Sequence, residues 1–127
     1  MNRVVVDSSI LLAFIREEPS AEEFLASDTQ AVVSAINLAE VHSKLISQGA
    51  SEEQGWHEAT SLADEIVPFL EEHARMTGSL ISQTKKHGLS LGDRACLALG
   101  IMLRLPVYTT DRAWKDVRLG VDVYLVR

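Results

Sequence analysis

The strongest constraint on the fold is a short apolar run near the start of the chain, Arg3 to Val6, which ends on Asp7. Its β-branched residues favour a strand, and the lack of alternating polar residues indicates that both faces of the strand are buried. Similar short runs follow at 31–33, 66–69, 107–110 and 121–126, with helical patterns between them. The sequence therefore predicts an α/β sandwich around a mainly parallel sheet.

Helix signals lie between the predicted strands. Ser34 is the expected N-cap of a helix that carries Glu40 and ends near Gly49. The segment 71–87 predicts one long helix, because acids in its first turn and bases in its last turn complement the helix dipole. Pro68 predicts that the strand at 66–69 lies at a sheet edge. The length of 127 residues predicts one domain that covers 1–127.

Cysteine content and hydropathy bear on the compartment. Cys96 is the only cysteine, so no disulfide can form within the chain, and the sequence is compatible with a reducing cytosol. The chain shows no signal-peptide pattern and no apolar run of the roughly 18 residues that a membrane span needs. We therefore expect a cytoplasmic protein with no membrane partner.

The net charge of −6 at first argues against a nucleic-acid partner. The charges are unevenly distributed, however, because residues 1–74 hold 14 of the 18 acidic residues and 3 of the 12 basic residues. The remaining segment, 75–127, is therefore basic, and bound divalent cations would offset part of the acidic excess. A basic face on an acidic protein is compatible with this distribution.

Four acidic residues lie in or directly beside apolar stretches. Asp7 ends the valine run and Asp111 follows the run at 107–110, so each falls at the carboxyl end of a predicted strand. Glu40 interrupts an apolar segment, and Asp93 opens an Ala- and Leu-rich one. Buried carboxylates are usually paired or bound to metal, and hard divalent cations prefer oxygen ligands. If the four acids meet at one edge of the sheet, a bound Mg²⁺ or Mn²⁺ is the simplest explanation.

Each acid also has a purely structural interpretation. Asp7 and Asp111 could each cap the helix that follows, and Asp93 lies three residues after Ser90, as in a capping box. Glu40 could pair with the lysine four residues later on an exposed helix face. Capping does not explain why these acids would share one sheet edge. Glu40 fits its structural interpretation least well, because its neighbours are mostly apolar.

Converging carboxylates point to phosphodiester chemistry. Divalent cations can activate a water molecule and neutralise the charge that develops during cleavage, without a catalytic triad. Neighbouring hydroxyls could orient a carboxylate or a water molecule, namely those of Ser8, Ser9, Thr109 and Thr110. Arg94 and Arg112 each follow one of the acids directly. Either arginine could contact a substrate phosphate, pair with a carboxylate or face solvent at a helix end.

Other motifs do not support a different chemistry. The four histidines lack the paired spacing of a zinc site, and one cysteine cannot supply a thiolate cluster. Neither glycine-rich nucleotide-binding pattern, GxxxxGK[ST] or GxGxxG, occurs. Trp56, Trp114 and Cys96 are interpreted as packing residues.

Four segments together resemble PIN-domain proteins, and more narrowly VapC-type toxin ribonucleases. They are 4–13, 34–41, 89–98 and 107–114, with the sequences VVVDSSILLA, SAINLAEV, LSLGDRACLA and VYTTDRAW. Each pattern is weak alone, but the combination in this order is specific and spans nearly the whole chain. The resemblance implies a three-layer α/β/α sandwich with a parallel sheet, Mg²⁺ or Mn²⁺ as the cofactor, and RNA as the substrate.

The resemblance also implies roles for individual residues. It assigns metal binding and catalysis to Asp7, Glu40, Asp93 and Asp111, and supporting polar positions to Ser9 and Thr109. Asp116 matches less tightly and is left out of this set. VapC-type toxins are usually homodimers held inactive by a cognate antitoxin protein, so the resemblance implies both partners here.

The leading hypothesis is a metal-dependent endoribonuclease, the toxin of a toxin–antitoxin pair. One alternative is a receiver-type phosphoacceptor domain, but such domains need a lysine near the end of the last strand, and the run 121–126 has none nearby. The second alternative is a catalytically silent module with this fold that binds RNA or protein. RNA retention that is insensitive to EDTA and yields no shortened product would favour that second alternative.

Overall fold

The central element is a five-stranded parallel sheet. The computed structural model describes residues 2–26 and 28–126, except for the side chains at positions 20, 23, 25 and 26. The strands have the order β3-β2-β1-β4-β5 and are all parallel. They are β1 (Asn2–Val6), β2 (Thr29–Ser34), β3 (Glu65–Val67), β4 (Val107–Thr109) and β5 (Val123–Leu125). The predicted α/β fold with a parallel sheet is confirmed.

The middle strand, β1, is buried on both faces, as its sequence predicts. Val4 and Val6 contribute to one hydrophobic core, whereas Val5 between them contributes to the other. This division follows from the strand geometry, in which successive side chains point to opposite faces. The β1 residues pair with β2 through Val5 and Val32 and with β4 through Val5 and Val107. Each face of the sheet therefore has its own core.

Helices cover both faces. The helices are α1 (Ser8–Ile15), α2 (Pro19–Ala26), α3 (Ala35–Ser47), α4 (Glu52–Thr60), α5 (Glu71–Ser79), α6 (Ile81–Thr84) and α7 (Leu91–Leu103). Helices α1 to α4 supply side chains to the core that contains Val4, and α5 and α7 supply side chains to the core that contains Val5. Short 3-10 turns span Lys85–His87 and Arg112–Trp114. The result is the three-layer α/β/α arrangement that the resemblance implies.

The prediction of one continuous helix over 71–87 was wrong. The segment divides at Leu80 into α5 and α6 and ends in a 3-10 turn. The Ser79 hydroxyl donates to the Met76 carbonyl at 2.8 Å, and the Thr84 hydroxyl donates to the Leu80 carbonyl at 2.8 Å. Such side-chain hydrogen bonds compete with the helix ladder and bend or interrupt it. The charge pattern that suggested a single helix carries no information about this competition.

Several other local predictions are confirmed. Strand β3 lies at a sheet edge and stops directly before Pro68. The Ser34 hydroxyl accepts from the Ile36 amide at 3.3 Å and caps α3. Trp114 and Cys96 are fully buried packing residues, whereas Trp56 is 45% exposed and packs edge-on against His42. Within residues 2–26 and 28–126, no helix has the length and apolar character needed to cross a lipid bilayer.

Candidate active site

The order of the strands creates a crevice at the carboxyl edge of the sheet. After β1 the chain adds β2 and β3 on one side, and β4 and β5 lie on the other side. The carboxyl ends of β1 and β4 therefore flank the point where the strand order reverses, which is where open α/β sheets bind ligands. Asp7 directly follows β1, and its amide donates to the Tyr108 carbonyl on β4 at 3.2 Å. Asp111 lies two residues after the end of β4.

Two helices bring the other acids to the same edge. Helix α3 starts directly after β2, so its amino-terminal end lies at the carboxyl edge and carries Glu40 in its second turn. Helix α7 runs towards the start of β4, so its first turn, with Asp93, lies at that edge too. Because parallel strands share their carboxyl edge, four segments that are distant in sequence meet in one region.

Asp7 is the buried member of this group. Asp7 is only 3% exposed. Its Oδ1 accepts from the Ser9 hydroxyl at 2.6 Å and from the Ile10 amide at 3.1 Å. Its Oδ2 accepts from the Thr109 hydroxyl at 2.6 Å. Burial raises the pKa of Asp7 from its ordinary 3.8 to about 6, the hydrogen bonds oppose this increase, and the nearby charge of Asp93 adds to it. The Asp7 carboxylate is therefore held rigidly where negative charge is costly.

Ser9 and Thr109 join the ends of β1 and β4 through Asp7. The Ser9 hydroxyl accepts from the Thr110 amide at 2.9 Å, and the Thr109 hydroxyl accepts from the Asp111 amide at 3.0 Å. Each hydroxyl has one proton, which the short contacts direct to Asp7. The two hydroxyl oxygens lie 3.3 Å apart. This network fixes the orientation of the Asp7 carboxylate relative to the backbone that carries Asp111.

The structural interpretations of Asp93 and Asp111 are both realised. Asp93 Oδ2 accepts from the Ser90 amide at 2.9 Å, and the Ser90 hydroxyl accepts from the Asp93 amide at 3.2 Å, which completes a capping box. Asp111 Oδ1 accepts from the Ala113 amide at 2.9 Å. Among the described residues, the second oxygen of each aspartate has no hydrogen-bond partner. Capping therefore orients these carboxylates and leaves an oxygen available.

The acids influence one another electrostatically. The pKa of Asp93 is raised by burial first, and the charges of Asp111 and Glu40 raise it further, while hydrogen bonds from Ser90 lower it. Asp93 in turn contributes to the raised pKa of Asp7. All four carboxylates are therefore linked through Asp93. Their mutual repulsion is the condition that a bound cation would relieve.

Glu40 differs from the expectation. Its apolar neighbours in sequence suggested burial, but Glu40 lies on the exposed side of α3, as Asp111 lies exposed after β4. The buried face of α3 is formed by other positions, among them Leu38 and Val41. Glu40 Oε1 accepts from the Ser8 hydroxyl at 2.9 Å and from Asn37 Nδ2 at 3.1 Å. In the described chain Glu40 forms no ion pair with Lys44, so its structural interpretation is not realised.

Two residues that the sequence did not single out contact Glu40. A Cβ built on Gly92 would overlap the Glu40 carboxylate, so this glycine makes room for it. Asn37 Nδ2 also donates to the Gly92 carbonyl at 3.0 Å and thereby joins α3 to α7. One signal was available for Asn37, a polar residue one helical turn before Glu40 in an apolar segment. A glycine in the first turn of a helix is a weaker signal.

The two arginines differ in their surroundings. Arg94 is half-buried, and its Nη1 donates to the Thr77 carbonyl on α5 at 3.0 Å. Arg112 is exposed next to Asp111. Neither arginine forms an ion pair with an acid within the described part of the chain, where the ion pairs are Arg3–Glu65 and His42–Glu52. The guanidinium of Arg112 is thus the more accessible of the two at the acidic edge.

The donor set has the chemistry of a hard-cation site, but its side chains are not gathered around one point. Across residues 2–26 and 28–126, no three Asp, Glu, His or Cys side chains form a group that could already hold a metal ion. Electrostatic influence extends farther than the roughly 2.0–2.6 Å of a metal–oxygen bond, so neighbouring acids can shift each other's pKa without converging. The acids supply oxygen donors, and their mutual repulsion would be relieved by a divalent cation, so the donor set fits such an ion. The side chains of the exposed acids would have to rotate to enclose it.

Comparison with known proteins supplies a family and related structures. The PIN-domain family model matches residues 4–119. The VapBC2 complex from Rickettsia felis, bound to a DNA fragment from its promoter, has a TM-score of 0.75 at 20% identity and covers 98% of this chain and 99% of that chain. FitAcB from Neisseria gonorrhoeae has a TM-score of 0.72 at 22% identity, with 95% of this chain and 96% of that chain covered.

A third solved structure is VapC20 from Mycobacterium tuberculosis, described as a toxin that cleaves the sarcin–ricin loop. It has a TM-score of 0.74 at 14% identity and covers 94% of this chain and 98% of that chain. A search of curated proteins found no match. At these identities the structural similarity establishes the shared fold, and the family match spans most of the chain.

Proposed function

Because this chain belongs to the PIN-domain family, we propose that it is a divalent-metal-dependent endoribonuclease and the toxin of a toxin–antitoxin pair. The observation that carries the proposal is the buried Asp7 carboxylate, with a pKa of about 6, at the carboxyl edge of β1. Three further acids come to the same edge of the sheet from separate segments, and the charges of Asp111 and Glu40 raise the pKa of Asp93. A protein that retains such a costly arrangement is expected to use it.

The chain's own residues have distinct parts in this proposal. Asp7, Asp93 and Asp111 would mainly bind the cation, with Ser9 and Thr109 holding Asp7 in its orientation. A bound Mg²⁺ or Mn²⁺ would supply positive charge against the phosphate and lower the pKa of a water molecule. Glu40 is exposed, and its Oε2 has no hydrogen-bond partner among the described residues, so it can share in binding or accept the proton of the attacking water.

Substrate contacts would come from the basic carboxyl-terminal segment. Arg112 is exposed beside Asp111, and its guanidinium can donate two hydrogen bonds to one phosphate group. Arg94 also remains a proposed phosphate contact, although its hydrogen bond to Thr77 directs it towards α5. RNA is the proposed substrate because the chain resembles VapC-type toxin ribonucleases, and the VapC20 toxin with this fold is described as cleaving the sarcin–ricin loop.

The proposed partners are a cognate antitoxin and a second copy of the chain. The solved VapBC and FitAB structures with this fold are toxin–antitoxin complexes, some of them bound to DNA. An antitoxin segment that enters the acidic edge would need basic or metal-binding groups to be complementary to it. The homodimer rests on the resemblance to VapC-type toxins.

The direct test is RNA cleavage by the purified protein with Mn²⁺. Asp7→Asn is expected to lower the cleavage rate by at least about a hundredfold while circular dichroism shows an intact fold. Asp122→Asn is the matched control, because Asp122 is an exposed aspartate at the opposite edge of the sheet, directly before β5. EDTA should abolish cleavage by the wild type. Equal cleavage by the wild type and the Asp7 variant would exclude the proposed mechanism.

A silent binding module is the second candidate function. The observation that favours it is that no three metal-binding side chains are gathered in the described residues. Such a module would retain RNA or a protein partner in EDTA and produce no shortened RNA. The nuclease proposal predicts the reverse for RNA, namely loss of product when the divalent cation is removed.

A further inference from the structure

The Glu40 carboxylate lies in a space that a side chain at position 92 would fill. Gly92 is buried in the first turn of α7, and a Cβ there would overlap both carboxylate oxygens and the carboxyl carbon of Glu40. The glycine is not required by its backbone conformation, because Gly92 is not among the residues with positive φ. Glycine is also a poor helix former. The close approach of Glu40 is therefore the feature that explains a glycine at this position.

Asn37 holds the same carboxylate from the other side. Asn37 is 1% exposed, and its Nδ2 donates to Glu40 Oε1 at 3.1 Å and to the Gly92 carbonyl at 3.0 Å. The Ser8 hydroxyl donates to the same Glu40 oxygen at 2.9 Å and lies 3.4 Å from Asn37 Nδ2. These contacts join the starts of α1, α3 and α7 around a single carboxylate oxygen, and within the described residues the other oxygen has no hydrogen-bond partner.

The orientation of the Asn37 amide is fixed at a cost. Its Oδ1 is buried and has no hydrogen-bond partner among the described residues. Rotating the amide by half a turn would place this oxygen against Glu40 Oε1 and the Gly92 carbonyl, which are both acceptors. A buried amide with an unsatisfied acceptor calls for an explanation, and here its NH₂ group provides one.

We propose that Gly92 and Asn37 are positioning residues that fix the Glu40 carboxylate at the edge of the acidic site, an inference that rests on the proposed nuclease function. Gly92 supplies the space and Asn37 supplies the hydrogen bonds. Because one Glu40 oxygen is occupied by Asn37 and Ser8, Oε2 is the atom presented to a cation or a water molecule. Displacing this carboxylate would weaken cation binding without disturbing the core.

The sharpest test is Gly92→Ala, with Gly78→Ala as the matched control. In the first variant the three atoms nearest to the new methyl group all belong to the flexible end of Glu40, so the protein should fold, and the better helix former should leave Tm unchanged or a few degrees higher. Gly78 is an exposed helical glycine of α5 whose Cβ would meet nothing within 4 Å. It should gain the same helix stability and retain wild-type activity.

The measurements are the Kd for Mn²⁺ by calorimetry without RNA, the rate of RNA cleavage, and Tm. For Gly92→Ala we expect the Kd for Mn²⁺ to be roughly 10- to 100-fold higher and the cleavage rate to fall by a comparable factor, as is typical when groups that orient a metal ligand are changed. Asn37→Ala should weaken Mn²⁺ binding in the same direction, and Asn37→Ser, which can still donate one hydrogen bond, should recover part of the loss.

The outcomes separate this inference from the nuclease proposal. If the wild type cleaves RNA and Gly92→Ala binds Mn²⁺ and cleaves equally well, the positioning role is excluded and the nuclease function stands. If the wild type neither binds Mn²⁺ nor cleaves RNA, the nuclease function fails and the positioning role fails with it. The inference would be supported if Gly92→Ala binds Mn²⁺ more weakly than the wild type without a lower Tm, and if Gly78→Ala binds Mn²⁺ and cleaves RNA as the wild type does.

Discussion

Among the four acids of the site, Asp7 is the one whose ionisation is most affected by folding. Burial raises its pKa from 3.8 to about 6, although the Ser9 and Thr109 hydroxyls donate to it. Between these two pH values the folded state binds more protons at Asp7 than the unfolded state does. The stabilising contribution of the protonated group is therefore present at low pH and is lost as the pH rises through about 6.

The Asp7 variant tests this pH dependence in the metal-free protein. Asparagine does not titrate, so the unfolding free energy of the wild type should increase relative to Asp7→Asn by roughly 2 kcal/mol from pH 7.5 to pH 4.5. Urea denaturation in EDTA at several pH values measures the difference. A difference that stays constant over this range would contradict the raised pKa. Adding Mn²⁺ at pH 7.5 should stabilise the wild type more than the variant.

Site residues could be predicted from the sequence where a local pattern placed them, and not where their position depends on how helices pack. Asp7 and Asp111 could be placed at the sheet edge, because a carboxylate directly after a buried strand is a local pattern. The exposure of Glu40 was not predicted, since its apolar neighbours are shared between two faces of α3. Gly92 could not be linked to Glu40 from the sequence, because their contact depends on how α3 and α7 pack.

At the scale of elements, α7 connects the acidic site to the core. Its first turn carries Asp93, and its last turns pack on β4 through Gly100. A Cβ on Gly100 would overlap the Val107 side chain and lie 3.3 Å from the Leu105 carbonyl. Neither neighbour can move as freely as an exposed side chain, because Val107 is fully buried and Leu105 contributes backbone. Close contact between helix and strand thus requires glycine here.

Gly100→Ala should therefore destabilise the protein, in contrast to an exposed helical glycine. We expect the unfolding free energy to fall by about 1–3 kcal/mol because of overpacking. Gly78→Ala should raise it by about 0.5–1 kcal/mol. Urea denaturation of both variants measures the two changes under the same conditions. A Gly100→Ala protein as stable as the wild type would show that β4 and α7 can separate without cost.

Element prediction succeeded where a pattern was local and failed where side chains compete with the backbone. Strand β1 was predictable because three consecutive valines suit a strand buried on both faces. The break at Leu80 was not, because Ser79 and Thr84 can either face solvent or bond to carbonyls of their own helix. The sequence pattern does not distinguish these two states.

At the scale of the whole molecule, strand order decides whether a site exists. Alternating strands and helices predict a parallel sheet, but they do not determine that β1 lies in the centre with β2 and β4 on either side. The adjacency of β1 and β4 in that order brings their carboxyl ends together, which unites Asp7, Ser9 and Thr109. The family resemblance predicted a three-layer sandwich with a parallel sheet but not this strand order, because no short-range pattern in the chain encodes which strands become neighbours.

The uneven charge distribution leads to a prediction about substrate binding. The chain has a net charge of −6, yet Arg112 is exposed at the acidic edge of the sheet. Arg112→Gln should raise the KM for RNA several-fold with little change in kcat, because a phosphate contact holds the substrate in both ground and transition states. The slope of log KM against log salt concentration should decrease by roughly 0.7, as expected for one lost phosphate contact on single-stranded RNA.

Arg104→Gln is the matched control, because Arg104 is an exposed arginine at the other end of α7, and it should leave both values unchanged. If both substitutions changed KM and its salt dependence equally, RNA would be attracted by the total charge of the protein and not by a contact of Arg112 at the site.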